Sequence, residues 1–458
     1  MKLRDYQIKL VQQCFQAWRN GYKSPLLQLP TGGGKTLLAS TIANEFIRSD
    51  CQVLALVHRE ELLLQAAAKL HEVCGVEVGL VKAGYAETPL APVQVASVQS
   101  LGRRQLAINP KLIWTDECHH ATSQTYLSAY ERWPDAYHLG VTATPQRLDG
   151  KGLDRVFDVL IPGPSVRSLI DDGYLSEYKL FAAHNQIDTS GVRSKGGDFQ
   201  LGQLSRAAMS ADILGEIYSA WSDYAPGKRT VCFCVNVEHS QAICAIYQQQ
   251  GIVAAHLDGT TPTQERRATL QAFANGEITV LTNCGIISEG LDIPGIEAVQ
   301  ILRPTKSVSL YLQQIGRALR TASGKDYAII LDHTKNWITH GLPDEERQWS
   351  LDGAVKRQAR KLERIASGEV REVREIVHHR EATLTEIKRG AVNPSLIARL
   401  QDLFAIQKSR GYKAAWVAYK FLEMNPGLEE LKLLARHLGY SPGWAWHKWQ
   451  ELQQAQAS

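Results

Sequence analysis

The stretch Leu29-Pro30-Thr31-Gly32-Gly33-Gly34-Lys35-Thr36 constrains this chain more than any other. It follows an apolar run (Leu26, Leu27, Leu29) with the character of a buried strand. It opens a segment (Leu37, Leu38, Ile42, Phe46) with the spacing of a helix. A strand-to-helix turn of this kind holds an anion at a helix N-terminus. Three consecutive glycines let backbone N–H groups wrap a phosphate, because no side chain blocks the approach and positive φ costs little. Lys35 adds a point charge for the outer phosphates of a nucleotide, and Thr36 a hydroxyl suited to Mg²⁺.

A chain of 458 residues has room for about three domains. With 44% hydrophobic and 21% charged residues it reads as a soluble globular protein, and no apolar run is long enough to span a membrane. The start, Met1-Lys2-Leu3-Arg4-Asp5-Tyr6, has no apolar signal core, which predicts a cytoplasmic protein. The eight cysteines are scattered without a C-x-x-C pair and read as reduced core residues. A net charge of +4 identifies no partner, so any basic surface must be local.

Upstream of the glycine loop, Leu3-Arg4-Asp5-Tyr6-Gln7 precedes an amphipathic helical pattern (Ile8, Val11, Cys14, Phe15, Trp18). Gln7 can read an adenine edge through its amide, or the segment can be a helix start with Asp5 as cap. Val53–Val57 has the composition of a buried parallel strand and delivers His58-Arg59 to a loop where open α/β sheets bind ligands. Arg59 there is either a phosphate contact or part of a solvated cap. Val93–Ala96 leads to Ser97 and Gln99, short polar side chains suited to a nucleic-acid backbone. Lys111–Thr115 delivers Asp116-Glu117-Cys118-His119-His120 at a strand end. Asp116 is placed for Mg²⁺, directly or through water, and Glu117 for polarising the attacking water. Cys118, His119 and His120 are adjacent in sequence and cannot easily converge as a tetrahedral zinc site. A further strand, His138–Val141, ends in Thr142-Ala143-Thr144-Pro145, whose hydroxyls can bond the Asp-Glu loop or simply form a turn.

The order of L-R-D-Y-Q, P-T-G-G-G-K-T, D-E-C-H and T-A-T-P resembles motifs Q, I, II and III of superfamily-two helicases and translocases. Leu29 stands where the strict phosphate-loop pattern has glycine, and that variant is itself similar to the superfamily-two form. A second half follows. Residues 287–294, Ile287-Ser288-Glu289-Gly290-Leu291-Asp292-Ile293-Pro294, resemble motif V, and Gln313-Gln314-Ile315-Gly316-Arg317-Ala318-Leu319-Arg320 matches motif VI. The D-E-C-H box and the run from Ile301 to Tyr311 are similar to bacterial RadD-type and phage-borne DNA helicases. The resemblance implies two RecA-like parallel-sheet α/β domains in tandem, with ATP and Mg²⁺ in the cleft between them. It implies ATP contacts from Gln7, Thr31, Gly32, Gly33, Gly34, Lys35, Thr36, Gly290 and Asp292. Catalysis would fall to Lys35, Asp116, Glu117, Gln313, Arg317 and Arg320. Arg317 and Arg320, three apart on a helix, share a face toward the γ-phosphate. Nucleic acid, DNA ahead of RNA, would meet Arg59, Ser97, Gln99 and Thr282, and His119, Thr142 and Thr144 would couple the sites.

The resulting division is a first RecA-like domain over 1–165, a connection with a short excursion over 166–210, and a second domain over 211–335. A charged helical linker over 336–392 and a C-terminal helical accessory module over 393–458 complete it. The module repeats Gly-Tyr-x-x-x-Trp at Gly411 and Gly439, 28 residues apart. Its tryptophans serve either a small core or, at Trp446 and Trp449, base stacking, and it offers a place for a protein partner. The expected function is an ATP-dependent helicase or translocase in DNA repair, recombination or replication. An RNA-dependent ATPase, separable by which polymer stimulates hydrolysis, and a nucleotide-gated clamp are the alternatives.

Overall fold

The computed structural model describes residues 3–147, 151–183, 186–287, 293, 295–353, 384–387 and, with gaps, 400–452. The chain forms two compact units, Met1–Tyr178 with Ala183–Ala354, and Lys179–Ala182 with Val355–Ser458.

The first unit opens with α1 (Asp5–Arg19), β1 (Pro25–Gln28), α2 (Lys35–Arg48), β2 (Val53–Val57), α3 (Glu60–Cys74), β3 (Val78–Val81), β4 (Val93–Ser97), α4 (Val98–Leu101), β5 (Leu112–Asp116), a single 3-10 turn at Cys118–His120, α5 (Gln124–Tyr130), β6 (Tyr137–Thr142) and β7 (Val159–Pro162). Their sheet is parallel, in the order β3-β4-β2-β5-β6-β1-β7. Strands β1, β2, β4 and β5 are buried along their whole length, as the apolar composition requires of strands covered on both faces. One face packs on α1, α2 and α3 through Leu10, Leu38, Ile42 and Leu63. The other is covered by Tyr126, Tyr130, Leu153 and Phe157. Strands β5, β6 and β1 are neighbours, so the Asp-Glu, Thr-Ala-Thr and glycine loops leave one sheet edge side by side, at the carboxyl ends where such sheets bind ligands.

The connection holds α6 (Val166–Asp171), β8 (Glu177–Ala183), a small antiparallel hairpin of β9 (Ser194–Lys195) and β10 (Asp198–Phe199), and α7 (Leu201–Ala208). A second half follows with α8 (Ala211–Tyr224), β11 (Thr230–Phe233), α9 (Val237–Gln249), β12 (Ala254–Leu257), α10 (Thr263–Asn275), β13 (Val280–Asn283), β14 (Ala298–Ile301), α11 (Val308–Ala318), β15 (Tyr327–Asp332) and α12 (Asn336–His340). Strands β12, β13, β11, β14 and β15 lie parallel in that order. The architecture is the pair of RecA-like domains that the motif order implies.

The expected break after 335 is absent, and residues 336–353 are not a charged helical linker. Asn336 is bound into the second half, taking a bond from Thr305 N and giving one to Arg303 O, both 3.0 Å. The chain then returns to the first half, where Leu351 O accepts from Leu153 N at 2.7 Å and the Leu351 side chain packs against the cluster around Phe157. Buried Leu342 and half-buried Leu351, which the charge count of the segment conceals, fix this path. Leu384–Ile387 is a strand.

In the second unit, helices Ala414–Leu422 and Leu428–Leu438 close around Val417, Phe421, Leu431 and Leu434. Trp444 packs on this core beside Tyr440, ring centroids 4.8 Å apart, so the second repeat's leading tryptophan is a packing residue. Gly411, Tyr412, Lys413, Trp446 and Trp449 lie outside the described residues.

Candidate active site

The glycine loop runs from the end of β1 into α2. Gly34 caps α2 at φ 87°, a left-handed conformation that favours glycine, and any β-carbon there would run into the Gln7 amide. Leu29, the departure from the strict pattern, is fully buried and packs beneath Gly33, where an added β-carbon would lie 2.7 Å from it. Gln7 holds the loop from behind. Its Nε2 donates to Gly33 O (3.1 Å), its Oε1 accepts from Arg4 N (3.0 Å), and Tyr6 OH donates to the same Gly33 carbonyl (2.7 Å). Arg4, not Asp5, is therefore the cap residue of α1. Tyr6 carries no signal in sequence beyond its place beside Gln7.

Lys35 starts α2, and its Nζ reaches Leu29 O at 3.4 Å. Burial lowers its pKa, against the pull of Glu117 and Asp116. Thr36 follows on the same first turn. Asp116, at the end of β5, is 6% exposed, and burial with Glu117 beside it raises its carboxyl to about 6. Glu117 takes a left-handed backbone (φ 45°), a strained conformation for a non-glycine residue, costing on the order of 1–3 kcal/mol. That turn aims its carboxylate at the third loop. Glu117 Oε2 lies 3.4 Å from both Thr142 Oγ1 and His119 Nδ1, and His119 Nδ1 lies 3.2 Å from the same hydroxyl.

The second half meets this site through α11. Gly316 lies so close to Thr31 that an added β-carbon would stand 2.5 Å from the threonine Cβ. A β-carbon on Gly32 would stand 3.4 Å from Arg320 Cγ. Arg317 is 4% exposed, and burial lowers Arg320 to about 10. Lys325 fixes the end of the helix by donating to Ala318 O, to Arg320 O (2.8 Å) and to Ile296 O (2.9 Å). Ser309, which nothing in the sequence singles out, joins the halves directly. Thr144 Oγ1 donates to Ser309 Oγ at 2.6 Å, and Thr144 N bonds Thr142 Oγ1 at 3.2 Å.

The remaining expected residues divide. Arg59 Nη1 donates to Gly285 O across the halves at 2.6 Å. Ser97 Oγ donates to Gln99 Oε1 at 2.7 Å, with Gln99 exposed on α4. Thr282 does not reach a surface: it is fully buried within β13, and its hydroxyl donates to Ser240 O at 2.9 Å, so its expected contact with nucleic acid is withdrawn. Gly290 and Asp292 lie outside the described residues. No metal-binding cluster of His, Cys, Asp and Glu occurs among the described residues, and all eight cysteines are free.

The family described as "Type III restriction enzyme, res subunit" matches residues 1–147, and "Helicase conserved C-terminal domain" matches residues 210–322. A 51.5 kDa protein of a Lactococcus phage is 36% identical over 340 residues, 73% of this chain and 72% of the relative. The chain belongs to the superfamily-two helicases. A Saccharomyces cerevisiae protein provisionally named ATP-dependent helicase IRC3 is 34% identical over 354 residues, 72% of this chain and 51% of the relative. The DNA 3'-5' translocase XPB2 of Sulfurisphaera tokodaii is 25% identical over 393 residues, 76% and 85% of the two chains. This superfamily-two chain therefore spans about half the length of the yeast helicase it matches. As a member of the family it is an ATP-hydrolysing enzyme, and no described helix is long and apolar enough to cross a membrane.

Proposed function

We propose that this chain couples ATP hydrolysis to movement along DNA. The observation that carries the reading is the charge pattern of the cleft. Lys35, Arg317 and Arg320 lie within electrostatic reach of one another at the glycine loop, and Lys35 also feels the buried carboxylates of Asp116 and Glu117. Burial pushes Lys35 and Arg320 down and Asp116 up, so these three groups gain from the counter-charges that a triphosphate with a divalent cation supplies. The donor set fits magnesium: Thr36 hydroxyl and Asp116 carboxylate are hard oxygen ligands with room left for water. Bound there, Mg²⁺ neutralises charge on the phosphates. The chain's own residues do the rest. The glycine loop and Lys35 hold the β- and γ-phosphates, Glu117 accepts the proton of the attacking water, and Gln313, Arg317 and Arg320 stabilise the charge that develops on the transferred phosphoryl. DNA is favoured over RNA by the D-E-C-H box and by the relative named as a DNA 3'-5' translocase. The helical module as a site for a protein partner, and a cytoplasmic setting, belong to the same proposal.

Steady-state ATPase activity with no polymer, single-stranded DNA, duplex, forked DNA and RNA tests the reading. Stimulation by DNA above RNA is expected. Glu117→Gln should bind ATP without cleaving it, because the amide is isosteric and no base; near-normal turnover in that variant would overturn the site.

A further inference from the structure

The C-terminal end of α11 is held from outside the helix. Arg320 lies past the last helical residue, Ala318, where no helical bond fixes it, and the final carbonyls of a helix find no partner within it. The connection between the two halves supplies those partners. Ser176 N donates to Leu319 O (2.7 Å) and Ser176 Oγ to Arg320 O (3.1 Å), while Leu175 and Arg320 pair as an isolated antiparallel bridge. Lys325 Nζ gives the same Arg320 carbonyl a second bond (2.8 Å), so both of its lone pairs are used.

The same short stretch reaches the glycine loop. Leu175 is buried, and its Cδ2 stands 2.8 Å from where a β-carbon on Gly32 would lie, with Arg320 Cγ 3.4 Å from that point. Gly32, left-handed at φ 85°, thus leaves room for Leu175 and Arg320 side by side. Tyr174 packs on Tyr6, ring centroids 5.5 Å apart, and the Arg4 guanidinium lies over its ring, 4.4 Å from the centroid. Tyr6 in turn bonds Gly33 O. The stretch is itself anchored: α6 is followed by the left-handed Gly173 (φ 73°), and Tyr174 N (2.8 Å) and Leu175 N (3.0 Å) both donate to Leu169 O. Tyr174, Leu175 and Ser176 therefore touch the helix start before the loop, the loop itself and the backbone of the arginine, although they belong to none of the motifs.

We propose that Leu175 and Ser176 are positioning residues that set the place of Arg320 against the glycine loop for ATP hydrolysis. The inference rests on the reading above that Arg320 stabilises the transferred phosphoryl. A long side chain on an unfixed backbone samples many positions, whereas transition-state stabilisation needs donors that are in place before the reaction begins. Bonding Arg320 through its own carbonyl fixes where the side chain starts without drawing on the guanidinium donors. Because the stretch belongs to the connection, it ties the arginine to the loop of the first half and not to the second half alone.

Single-turnover ATP hydrolysis by the full chain, with affinity for a fluorescent ATP analogue measured alongside, tests this in a double-mutant cycle. Ser176→Ala removes one donor to Arg320 O and keeps the backbone bond to Leu319. It should lower the hydrolysis rate several-fold with little change in affinity for the analogue. Leu175→Ala opens space beside Gly32 and should lower the rate further, toward the factor on the order of 10² that an ångström of misplacement costs. In an Arg320→Ala background, already slow, neither substitution should cost more, because each acts through that side chain. Thermal melting checks the fold, and if Leu175→Ala does not fold, the Ser176 cycle alone decides. A Ser176→Ala chain with the wild-type rate, or rate losses that add to that of Arg320→Ala, overturn the inference while the functional reading stands. So does an equal loss of rate and analogue affinity, the mark of a distorted glycine loop. An Arg320→Ala chain that hydrolyses ATP at the wild-type rate overturns the role of the arginine and this inference with it.

Discussion

Asp116 is a carboxylate that the fold destabilises and the chemistry needs. Its pKa, raised to about 6 by burial and by Glu117 beside it, means that the folded protein holds the proton more tightly than the unfolded chain does. Its contribution to stability is therefore complete below the ordinary aspartate value and is lost as pH rises through about 6. Asp116→Asn should accordingly stabilise the nucleotide-free protein at pH 8, and the gain should shrink as pH falls through about 6 and vanish below the ordinary aspartate value. Paired melting curves of variant and wild type over that range check it, and a gain independent of pH would place the cause elsewhere. Turnover should move oppositely, vanishing in the variant at every pH. The identity of this residue was legible in sequence because Asp-Glu follows an apolar strand. The left-handed backbone of Glu117 was not, since nothing in the residue type favours it.

At the scale of the element, α11 concentrates the dependence of one half on the other. Ser309, Gln313 and Arg317 recur every four residues on one face, with Gly316 beside them; Arg320, expected on the same helix face as Arg317, lies past the helix end, where it bridges to Leu175, and each of Ser309, Gly316 and Arg320 lies against a loop of the first sheet. The motif made Gln313, Gly316, Arg317 and Arg320 visible from the sequence alone. Ser309 was invisible, because a serine one turn upstream in an amphipathic helix looks like any solvent-facing residue until its partner Thr144, 165 positions away, is known. The hydroxyl chain from Glu117 through Thr142 and Thr144 to Ser309 gives it a positioning role: it can pass the state of the nucleotide site to the second half. Ser309→Ala should lower the DNA-stimulated kcat several-fold with little change in KM for ATP, and Ser309→Thr, which keeps the hydroxyl, should recover it. A purely structural serine would instead shift melting temperature in both variants. Gly316→Ala is the harsher test. Its methyl would meet Thr31 at 2.5 Å, so the halves must part, and hydrolysis should fall by a factor on the order of 10² while each half keeps its secondary structure. Circular dichroism alongside ATPase assays separates the two effects.

For the whole molecule, the alternation of apolar strands with helical patterns was enough to read two tandem α/β sheets, because buried parallel strands are nearly continuous hydrophobic runs. What the alternation could not show is how the second half is tied back to the first. After α12, Arg347 donates to His340 O (3.0 Å) and Leu342 O (2.8 Å), and Asp344 accepts from Tyr178 OH at 2.6 Å. Leu351 then reaches the Phe157 cluster of the first sheet. The segment 336–353 is thus a strap across both halves, its anchors being scattered single residues rather than a periodic pattern. Two truncations distinguish it from a linker. A chain ending at residue 392 keeps the strap and should retain basal ATP hydrolysis, since every residue assigned to nucleotide chemistry precedes Lys325. A chain ending at residue 335 loses the Leu351 contacts, the Asn336 bonds to Arg303 and Thr305, and the buried Leu342, and so should melt several degrees lower and lose most of its turnover. Differential scanning calorimetry with ATPase assays on both chains decides between them. Equal stability and activity in the two would return the boundary to residue 335 and leave the strap a passive tether.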